Sequence, residues 1–333
     1  MTDLLTLEGV SKRFSKPQDI AVRLARHLGA KIPNETVHAV DDVTLSIAAG
    51  EVVGLVGESG CGKSTLGRVA AGIHAPSDGQ LLWHGKPATN DPVARLKVQM
   101  VFQDPMSSLN PRHRIDRIIS EAPRFHGQIT AREADGFAAD LLEKVGLDPN
   151  FRSRYPHQFS GGQRQRIAIA RALAVKPEVI VADESVSALD VSVQAQVLNL
   201  FMDLRRDLGL AYLFISHDLG VVEHIADRVF IMYLGRVVES AATEDLFANP
   251  LHPYSRALLD EVPRLTTGKR RFQPIKGEIP SPLNPPSGCH FHPRCPLADG
   301  ECRAIRPALR QVAPGRTVAC HKVAGPQQGA LEP

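Results

Sequence analysis

The sequence predicts a doubly wound α/β fold, in which helices cover both faces of a largely parallel sheet. Five short apolar runs lack the alternation of polar and apolar residues that marks a half-exposed strand, which favours parallel strands buried on both faces. Segments with helical periodicity separate these runs, so crossovers can return the chain to one sheet. The predicted buried strands are residues 52–56, 98–102, 179–182, 212–215 and 229–232.

Two more strands are predicted near the N-terminus, at residues 4–9 and 43–48, where they would form a sheet edge. The segment between them, about residues 15–37, contains a basic stretch that suits a helical patch near a membrane or a partner. A solvated surface excursion explains it more simply, and no role is assigned. Asp190 can cap the last of three predicted helices and Gly209 can end it. The predicted helices are residues 63–71, 163–174 and 191–208.

Two regions break the alternation of strands and helices. Residues of about 104–160 carry mainly helical signals, so we expect an inserted helical subdomain there. From about residue 265 proline and glycine become frequent, as in the stretch 280–288, and no regular element is expected. The chain therefore divides into a large domain, residues 1–264, and a small loop-rich module, residues 265–333.

The composition is that of a soluble globular protein, with 43% apolar and 23% charged residues in a chain of 333. A formal net charge of +3 is too small to indicate a nucleic-acid surface. No apolar run approaches the roughly 20 residues that span a bilayer, and the N-terminus lacks the basic start and apolar body of a signal peptide. We expect a protein of the cytosol or of the cytoplasmic face of a membrane.

The clearest motif lies between the first buried strand and the first predicted helix, where the chain reads GESGCGKST from residue 57. Glycine-rich backbone can curl its N–H groups around phosphate oxygens, Lys63 can supply positive charge to the outer phosphates, and the Ser64 hydroxyl suits Mg²⁺. The flanking strand and helix favour a nucleotide phosphate loop over a merely flexible glycine turn. ATP or GTP would therefore bind at Gly57, Ser59, Gly60, Cys61, Gly62, Lys63, Ser64 and Thr65.

Two carboxylates, Asp183 and Glu184, follow the predicted strand 179–182, as expected of the strand that faces a phosphate loop. Asp183 would hold magnesium. Glu184 could accept a proton from a water molecule that attacks the terminal phosphate. Taken alone, the two residues could also be a surface acidic pair that ends a strand, although this is the less favoured interpretation. The phosphate loop favours the catalytic interpretation.

A second anion site is predicted where Ser160, Gly161, Gly162 and Gln163 introduce a helix. A serine hydroxyl and free backbone N–H groups at a helix N-terminus attract phosphate. One nucleotide does not need two phosphate cradles, unless the second serves a nucleotide held by another subunit. The simpler alternative is an ordinary serine-capped helix start.

These motifs occur in the order seen in ATP-binding cassette proteins, which the chain resembles over roughly residues 1–255. The ordered set also includes Gln103 after a strand, the tetrapeptide Ser187-Ala188-Leu189-Asp190 and His217. The resemblance implies a P-loop ATP-binding cassette with a doubly wound core. It also implies that two such cassettes pair and sandwich two molecules of ATP with Mg²⁺ between them. Ser185 departs from the family, which usually has proline there, and we expect this to alter local stiffness more than chemistry.

The family pattern implies a role for each matching residue. Glu184 would be the general base, His217 would contact the terminal phosphate, and Gln103 would sense magnesium and water while touching a transmembrane partner. Asp190 would link the two sites across the dimer, and Phe14 is the candidate for stacking on adenine. Magnesium would be held by Ser64, Gln103 and Asp183, and the ATP of the opposite subunit would be contacted by Ser160, Gly161, Gly162 and Gln163.

Further motifs resemble the ATPase subunits of dipeptide and oligopeptide permeases over almost the whole chain. They read FQDP at 102–105, SLNP at 108–111, RYPH at 154–157, HPY at 252–254 and SPLNPP at 281–286. The chain also ends in a cysteine-bearing extension similar to the one in that family, whose members with these cysteines hold a four-iron cluster, [4Fe-4S]. The corresponding residues are Cys289, Cys295, Cys302 and Cys320.

The four clustered thiols allow more than one interpretation on their own. They can ligate an iron–sulfur cluster or a zinc ion, but gaps of five, six and seventeen residues lack the close pairs of zinc ribbons. An iron–sulfur cluster is favoured, zinc with or without a neighbouring histidine is the alternative, and free or disulfide-bonded thiols are the third reading. Cys61 is expected to be a small loop residue without a redox purpose.

The leading hypothesis is a peripheral ATPase subunit, at the cytoplasmic face of the bacterial inner membrane, of an importer of dipeptides or oligopeptides. The resemblance implies a heterodimer with a second ATPase, two transmembrane permease subunits and, indirectly, an extracytoplasmic substrate-binding protein. A soluble cassette protein acting on nucleic acid or ribosomes is the main rival, but the weak basic character argues against a nucleic-acid partner. An importer of nickel, a glycopeptide or another small solute is a third hypothesis.

Overall fold

The computed structural model describes residues 3–15, 36–88, 91–261, 275 and 277–324. Within these residues the chain forms an eight-stranded sheet and a four-stranded sheet. The strands are β1 (Asp3–Ser15), β2 (Thr36–Ala48), β3 (Val52–Val56), β4 (Asp78–Trp83), β5 (Lys86–Pro87), β6 (Val98–Val101), β7 (Val179–Asp183), β8 (Ala211–Ser216), β9 (Arg228–Tyr233), β10 (Arg236–Ala242), β11 (Arg310–Ala313) and β12 (Arg316–Val318). The helices are α1 (Lys63–Ala70), α2 (Pro92–Lys97), α3 (Pro105–Ser108), α4 (Ile115–Phe125), α5 (Ala134–Lys144), α6 (Gly161–Leu173), α7 (Val191–Leu208), α8 (Leu219–Ile225), α9 (Thr243–Ala248), α10 (Pro253–Asp260) and α11 (Gly300–Ala304).

The centre of the larger sheet is parallel, in the order β9, β3, β8, β7, β6. All five buried strands predicted from the sequence lie here, and β3 has the predicted bounds. Alternate residues of β3 enter opposite cores: Val52 and Val56 belong to one apolar cluster, whereas Val53 and Leu55 belong to the other. This burial on both faces explains why the strands read as uninterrupted apolar runs, and it confirms the predicted α/β fold.

Different elements cover the two faces of this sheet. On one face lie α6, α7 and α8, whose apolar residues share a cluster with β7 and β8. On the other face lie α1 and the four-stranded sheet, which contribute residues such as Leu66 and Leu45 to the second cluster. The loop between β3 and α1 is therefore held at the carboxyl end of a central strand, which is where ligands bind in open α/β sheets.

The region of about 104–160 contains α3, α4, α5 and two short 3-10 segments, and no strand is found among these described residues. The largely helical character expected from the sequence is thus observed. The side chains of Ile119 and Leu142 are fully buried and belong to the core cluster that also contains the apolar residues of α6. This shared core fixes the position of the helical region relative to the start of α6.

The C-terminal module is more regular than the sequence suggests. No regular element is expected after about residue 265, yet β11 and β12 form an antiparallel hairpin and β12 pairs with β10. That prediction is wrong for these strands. They have only four and three residues, and most of these are not buried, so they lack the apolar run that marks the buried strands. Their pairing partners rather than their sequence determine them. The boundary at 264/265 and residues 16–35 of the N-terminal insertion lie outside the described residues.

No helix in the described part of the chain combines the length and the apolar character needed to cross a membrane.

Candidate functional site

The loop from Gly57 to Gly62 can be built only with glycine at both ends. Gly57 has a φ of 153°, and a Cβ there would lie 2.1 Å from the backbone oxygen of Met232. Gly62 has a φ of 107°, and its Cβ would lie 2.0 Å from the backbone oxygen of Ala39. Real Cβ atoms do not approach a backbone atom so closely, and L-residues rarely adopt such φ values. The glycines therefore let the loop pass tightly between two other backbone segments.

The loop folds around the ammonium group of Lys63. This side chain is buried, and its Nζ donates to the backbone oxygens of Gly57 at 2.7 Å and of Glu58 at 3.1 Å. Lys63 is also the first residue of α1, so its charge stands beside the free N–H groups at the start of that helix. This combination of a cation with helix N–H groups suits the outer phosphates of a nucleotide.

A hydroxyl and a carboxylate meet next to the loop. The Oγ atom of Ser64 donates to Oδ1 of Asp183 at 2.7 Å, which joins the start of α1 to the end of β7. Burial raises the pKa of Asp183, while the hydrogen bond from Ser64 acts in the opposite direction. Oxygen donors of this kind fit Mg²⁺, which binds proteins through one or two carboxylates and completes its shell with substrate phosphates and water.

The three predicted catalytic side chains lie close together at the same edge of the sheet. Glu184 has a left-handed φ of 47°, and its N–H donates to the backbone oxygen of Ile215 at 2.9 Å. Nδ1 of His217 stands 3.5 Å from Oε1 of Glu184. Gln103 is connected through Ser187, whose hydroxyl donates to the backbone oxygen of Glu184 at 2.9 Å and lies 3.5 Å from Nε2 of Gln103. The neighbouring backbone thus holds Glu184 in a conformation that it would rarely adopt alone.

Part of the loop lines one cleft of about 460 Å³ together with Gln103 and Glu184, whereas Asp183 and His217 are not in its wall. Its volume lies in the size range of small-molecule sites. Phe14 lies in its wall, with 39% of its surface exposed and its ring edge-on to His74. The position is compatible with the predicted contact to adenine, which stays a prediction. The predicted residues that line the cleft are Phe14, Ser59, Gly60, Gly62, Lys63, Ser64, Thr65, Gln103 and Glu184.

A larger cavity of about 840 Å³ lies between the sheets and the C-terminal module. Its arginines already have carboxylate partners, since Arg228 contacts Glu51 at 2.9 Å and Arg236 contacts Asp41 at 2.6 Å. It also lacks the loop, Lys63 and Glu184. The smaller cleft is therefore the better candidate for phosphate chemistry.

The serine-glycine motif forms a well-capped helix start outside this cleft. The backbone N–H of Gln163 donates to Oγ of Ser160 at 3.4 Å, and the N–H of Ser160 donates to Oε1 of Gln163 at 3.0 Å. Ser160 and Gly161 are exposed, as is Asp190 at the start of α7. None of these residues lines the cleft. The structure of one chain thus brings the phosphate loop, Asp183, Glu184, Gln103 and His217 together, but not the second predicted anion site.

The four C-terminal cysteines share a neighbourhood without forming a metal site. All are free thiols, and the N–H of Cys289 donates to the backbone oxygen of Cys302 at 2.8 Å. Burial, with a smaller contribution from the other three thiols, raises the pKa of Cys289 to about 11. Among the described residues, no three His, Cys, Asp or Glu side chains are arranged to hold a metal ion. The arrangement does not support the expected cluster site at Cys289, Cys295, Cys302 and Cys320.

Two residues that contact the loop were not predicted from the sequence. The hydroxyl of Tyr254 accepts a hydrogen bond from the N–H of Glu58 at 2.9 Å, and Arg294 forms an ion pair with the Glu58 carboxylate. These partners are 196 and 236 residues away from Glu58. No short-range sequence pattern predicts such contacts. The only available signal is that Tyr254 and Arg294 lie within the motif-rich C-terminal part of the sequence.

Comparisons with known proteins agree with this geometry. A family model described as ABC transporter matches residues 40–187, and one described as oligopeptide/dipeptide transporter, C-terminal region, matches residues 238–302. The oligopeptide transport ATP-binding protein AppF of Bacillus subtilis is 52% identical over 86% of this chain and 89% of its own. The dipeptide transport ATP-binding protein DppF of Escherichia coli is 49% identical over 91% and 93%.

Solved structures show the same fold. CbiO1 from Clostridium perfringens, part of the ABC transporter complex CbiONQ, matches with a TM-score of 0.61 and 26% identity over 75% of this chain and 92% of its own. The ATP-binding cassette MJ0796, a dimer in a post-hydrolysis state with ADP and phosphate, matches with a TM-score of 0.60 and 27% identity over 72% and 98%.

Proposed function

Because the chain belongs to the ABC transporter family, among its oligopeptide and dipeptide transport ATP-binding proteins, we propose that it is the ATP-hydrolysing subunit of a bacterial peptide importer. One observation carries the chemical part of this proposal. The phosphate loop, the bonded pair Ser64 and Asp183, and the carboxylate of Glu184 meet at one edge of the sheet. A phosphate cradle, a magnesium site and a base are the parts that phosphoryl transfer to water needs.

The residues divide the reaction between them. Lys63 and the N–H groups of the loop would bind the outer phosphates of ATP, while Ser64, Asp183 and Gln103 would hold Mg²⁺. Mg²⁺, when bound, neutralises negative charge on the phosphate oxygens. Glu184 accepts a proton from the attacking water, and His217, 3.5 Å from Glu184, contacts the terminal phosphate.

The proposed assembly has two cassettes. Ser160 and the start of α6 are exposed and lie outside the cleft, so they are free to contact ATP held by a second cassette. ATP then favours the closed pair because it adds contacts across the interface, and hydrolysis reopens it. Asp190, also exposed, would link the two sites. The partner cassette is proposed to be a related, non-identical ATPase.

The motion of the cassettes would be passed to two membrane permease subunits. The helical region of about 104–160 and Gln103 are the proposed contacts, which places the chain at the cytoplasmic face of the inner membrane as a peripheral subunit. An extracytoplasmic binding protein would deliver the peptide. Co-purification with permeases and uptake of labelled peptides would support this assignment, whereas co-purification with ribosomes or nucleic acid would favour the rival function. If nickel or a glycopeptide is taken up and peptides are not, the proposed substrate would have to be replaced by that solute.

The Glu184→Gln substitution tests the proposed base. We expect ATP to bind and an ATP-loaded dimer to persist, while turnover falls at least about a hundredfold, as for loss of a general base. Glu178→Gln is a matched control, because Glu178 precedes the same strand, is partly exposed and pairs with Lys97 at 3.0 Å. Steady-state phosphate release measures both variants. Near-normal turnover of the Glu184 variant would defeat the assignment.

We also propose that the four C-terminal cysteines hold a [4Fe-4S] cluster. The chain matches the C-terminal region of the peptide transporters, and four free thiols are the donor set that such clusters take. Since the side chains do not converge on a metal position, the thiols would have to turn toward a cluster. Anaerobically purified protein should be brown with about four irons per chain. A colourless preparation with one zinc per chain would support the zinc alternative instead.

A further inference from the structure

One partly buried ion pair joins the C-terminal module to the phosphate loop. Arg294 donates through Nη1 to Oε2 of Glu58 at 2.6 Å and through Nη2 to Oε1 at 2.9 Å. The Arg294 side chain is 4% exposed and that of Glu58 is 21% exposed. Two parallel hydrogen bonds between a guanidinium and a carboxylate fix both the distance and the orientation of the two groups. Glu58 is therefore not a freely moving surface carboxylate.

Both partners of this pair are held by further contacts. The guanidinium of Arg294 lies 5.9 Å from the ring centre of Tyr233, and the N–H of Glu58 donates to the hydroxyl of Tyr254 at 2.9 Å. Tyr233, Tyr254 and Phe291 pack against one another with ring centres 4.7 to 5.3 Å apart. An aromatic cluster with residues from the large domain and from the C-terminal module thus contacts both partners of the ion pair.

Glu58 transmits this support to the phosphate-binding groups. Its backbone oxygen accepts from Nζ of Lys63 at 3.1 Å and from the N–H of Cys61 at 3.3 Å. The same residue is consequently tied to Arg294 through its side chain and to Lys63 through its backbone. A movement of Glu58 would move the first turn of the loop with it.

The charge of Glu58 requires a partner for a second reason. An unpaired carboxylate in a loop that receives a triphosphate would repel the ligand. Its field reaches inside the loop: burial is the main cause that raises the pKa of Cys61, and the negative charge of Glu58 adds to the effect. Arg294 supplies the compensating positive charge from the other end of the chain.

We propose that Arg294 is a positioning residue for ATP binding, which neutralises Glu58 and holds the first turn of the phosphate loop in place. The C-terminal module is then a part of the nucleotide site and not only an appendage to the cassette. The inference rests on the proposed ATPase function. A second contact of the same module agrees with it, since Pro282 lines the cleft and its backbone oxygen accepts from the N–H of His38 at 3.0 Å.

The first test is Arg294→Gln in the full-length chain. The dissociation constant of a fluorescent ATP analogue and the KM for ATP should rise about tenfold or more, as expected when a charge-assisted hydrogen bond is lost. The kcat at saturating ATP should change much less, because Glu184 and His217 do not contact Arg294. A loss confined to kcat would overturn the positioning role.

The decisive test is the double variant Glu58→Gln/Arg294→Gln. It removes both charges, so nucleotide affinity should return to within about threefold of wild type if repulsion by Glu58 causes the loss. A purely structural role of Arg294 predicts no such recovery, and a double variant as weak as Arg294→Gln overturns the proposal. Arg294→Lys keeps the charge without the fork and should bind ATP with intermediate affinity. It also keeps the proposal testable if Arg294→Gln fails to fold.

Arg306→Gln is the matched control. Arg306 belongs to the same module and pairs with Asp42 at 3.1 Å, but it does not contact the phosphate loop. Its removal should leave ATP affinity unchanged, and a loss equal to that of Arg294→Gln would attribute the effect to general loosening of the module. If wild type neither binds nor hydrolyses ATP, the proposed function fails. If wild type is active and Arg294→Gln binds ATP normally, only the role of Arg294 fails.

Discussion

Single residues determine whether the phosphate loop can close. Gly60 and Gly62 both have positive φ, 78° and 107°, but they differ in the space around them. A Cβ on Gly62 would meet the backbone oxygen of Ala39 at 2.0 Å, whereas no described atom outside the neighbouring residues lies within 4 Å of a Cβ on Gly60. The two glycines therefore separate the cost of backbone strain from the cost of a clash.

Gly62→Ala should lower the free energy of unfolding more than Gly60→Ala. Both substitutions cost about 1–3 kcal/mol through left-handed backbone. Gly62→Ala should cost a further ~1–3 kcal/mol, because its Cβ would clash with the backbone oxygen of Ala39, which cannot rotate away as a side chain can. Urea unfolding of the two variants without nucleotide measures the difference. Equal losses would show that the backbone of Ala39 moves aside at little cost.

Functional residues of the site could be predicted where they belong to a short sequence motif. Lys63, Ser64 and Glu184 stand beside predicted strands and helices, and the order of those elements already implies that they meet. Arg294 and Tyr254 were not predictable, because their contacts to Glu58 depend on tertiary packing over 196 or more residues. The phosphate loop could thus be predicted from the sequence, but the contacts of Arg294 and Tyr254 that stabilise it could not.

At the scale of elements, length and burial together decided which segments could be predicted. The 18-residue helix α7 has the predicted bounds, since its apolar positions repeat over five turns. The strands β11 and β12 are too short for such a pattern and are stabilised by pairing with each other and with β10. Through this pairing the C-terminal module is anchored to the main sheet, next to the start of α10.

The start of α10 should make folding stability sensitive to acid. His252 is buried, and its Nδ1 accepts from the N–H of Tyr254 at 3.0 Å. Burial lowers the pKa of His252 to about 3, so the folded protein keeps the imidazole neutral while the unfolded chain binds a proton below its ordinary value of 6.5. Stability from this group is therefore complete above about pH 6.5 and declines as the pH falls toward 3.

His252→Asn isolates this contribution, because asparagine can still accept a hydrogen bond at the helix start but does not titrate. Between pH 6 and pH 4 the free energy of unfolding of wild type should fall more steeply than that of the variant, by about 1.4 kcal/mol per pH unit. Urea titrations at pH 6, 5 and 4 give both slopes. Parallel slopes would mean that His252 is protonated in the folded protein.

At the scale of the whole molecule, distant parts of the chain converge on one cleft. The four-stranded sheet contributes Phe14, the parallel sheet contributes Glu184, and the C-terminal module contributes Pro282. Ser160 lies outside it, on an exposed helix start. In the proposed assembly, one chain would hold a nucleotide in this cleft and present Ser160 to the nucleotide of its neighbour, which a labelling experiment can test.

Ser160→Arg in the assembled transporter should spare the nucleotide of its own chain and affect that of the partner cassette. A bulky cation at this helix start would block the neighbouring ATP, whereas the cleft with Lys63 is untouched. Photolabelling with an azido-adenine nucleotide after trapping should therefore lose the partner's label and keep this chain's own. Asp91→Ala, which removes a comparable cap from α2, controls for the lost cap. Loss of only this chain's label would mean that Ser160 contacts nucleotide within its own subunit.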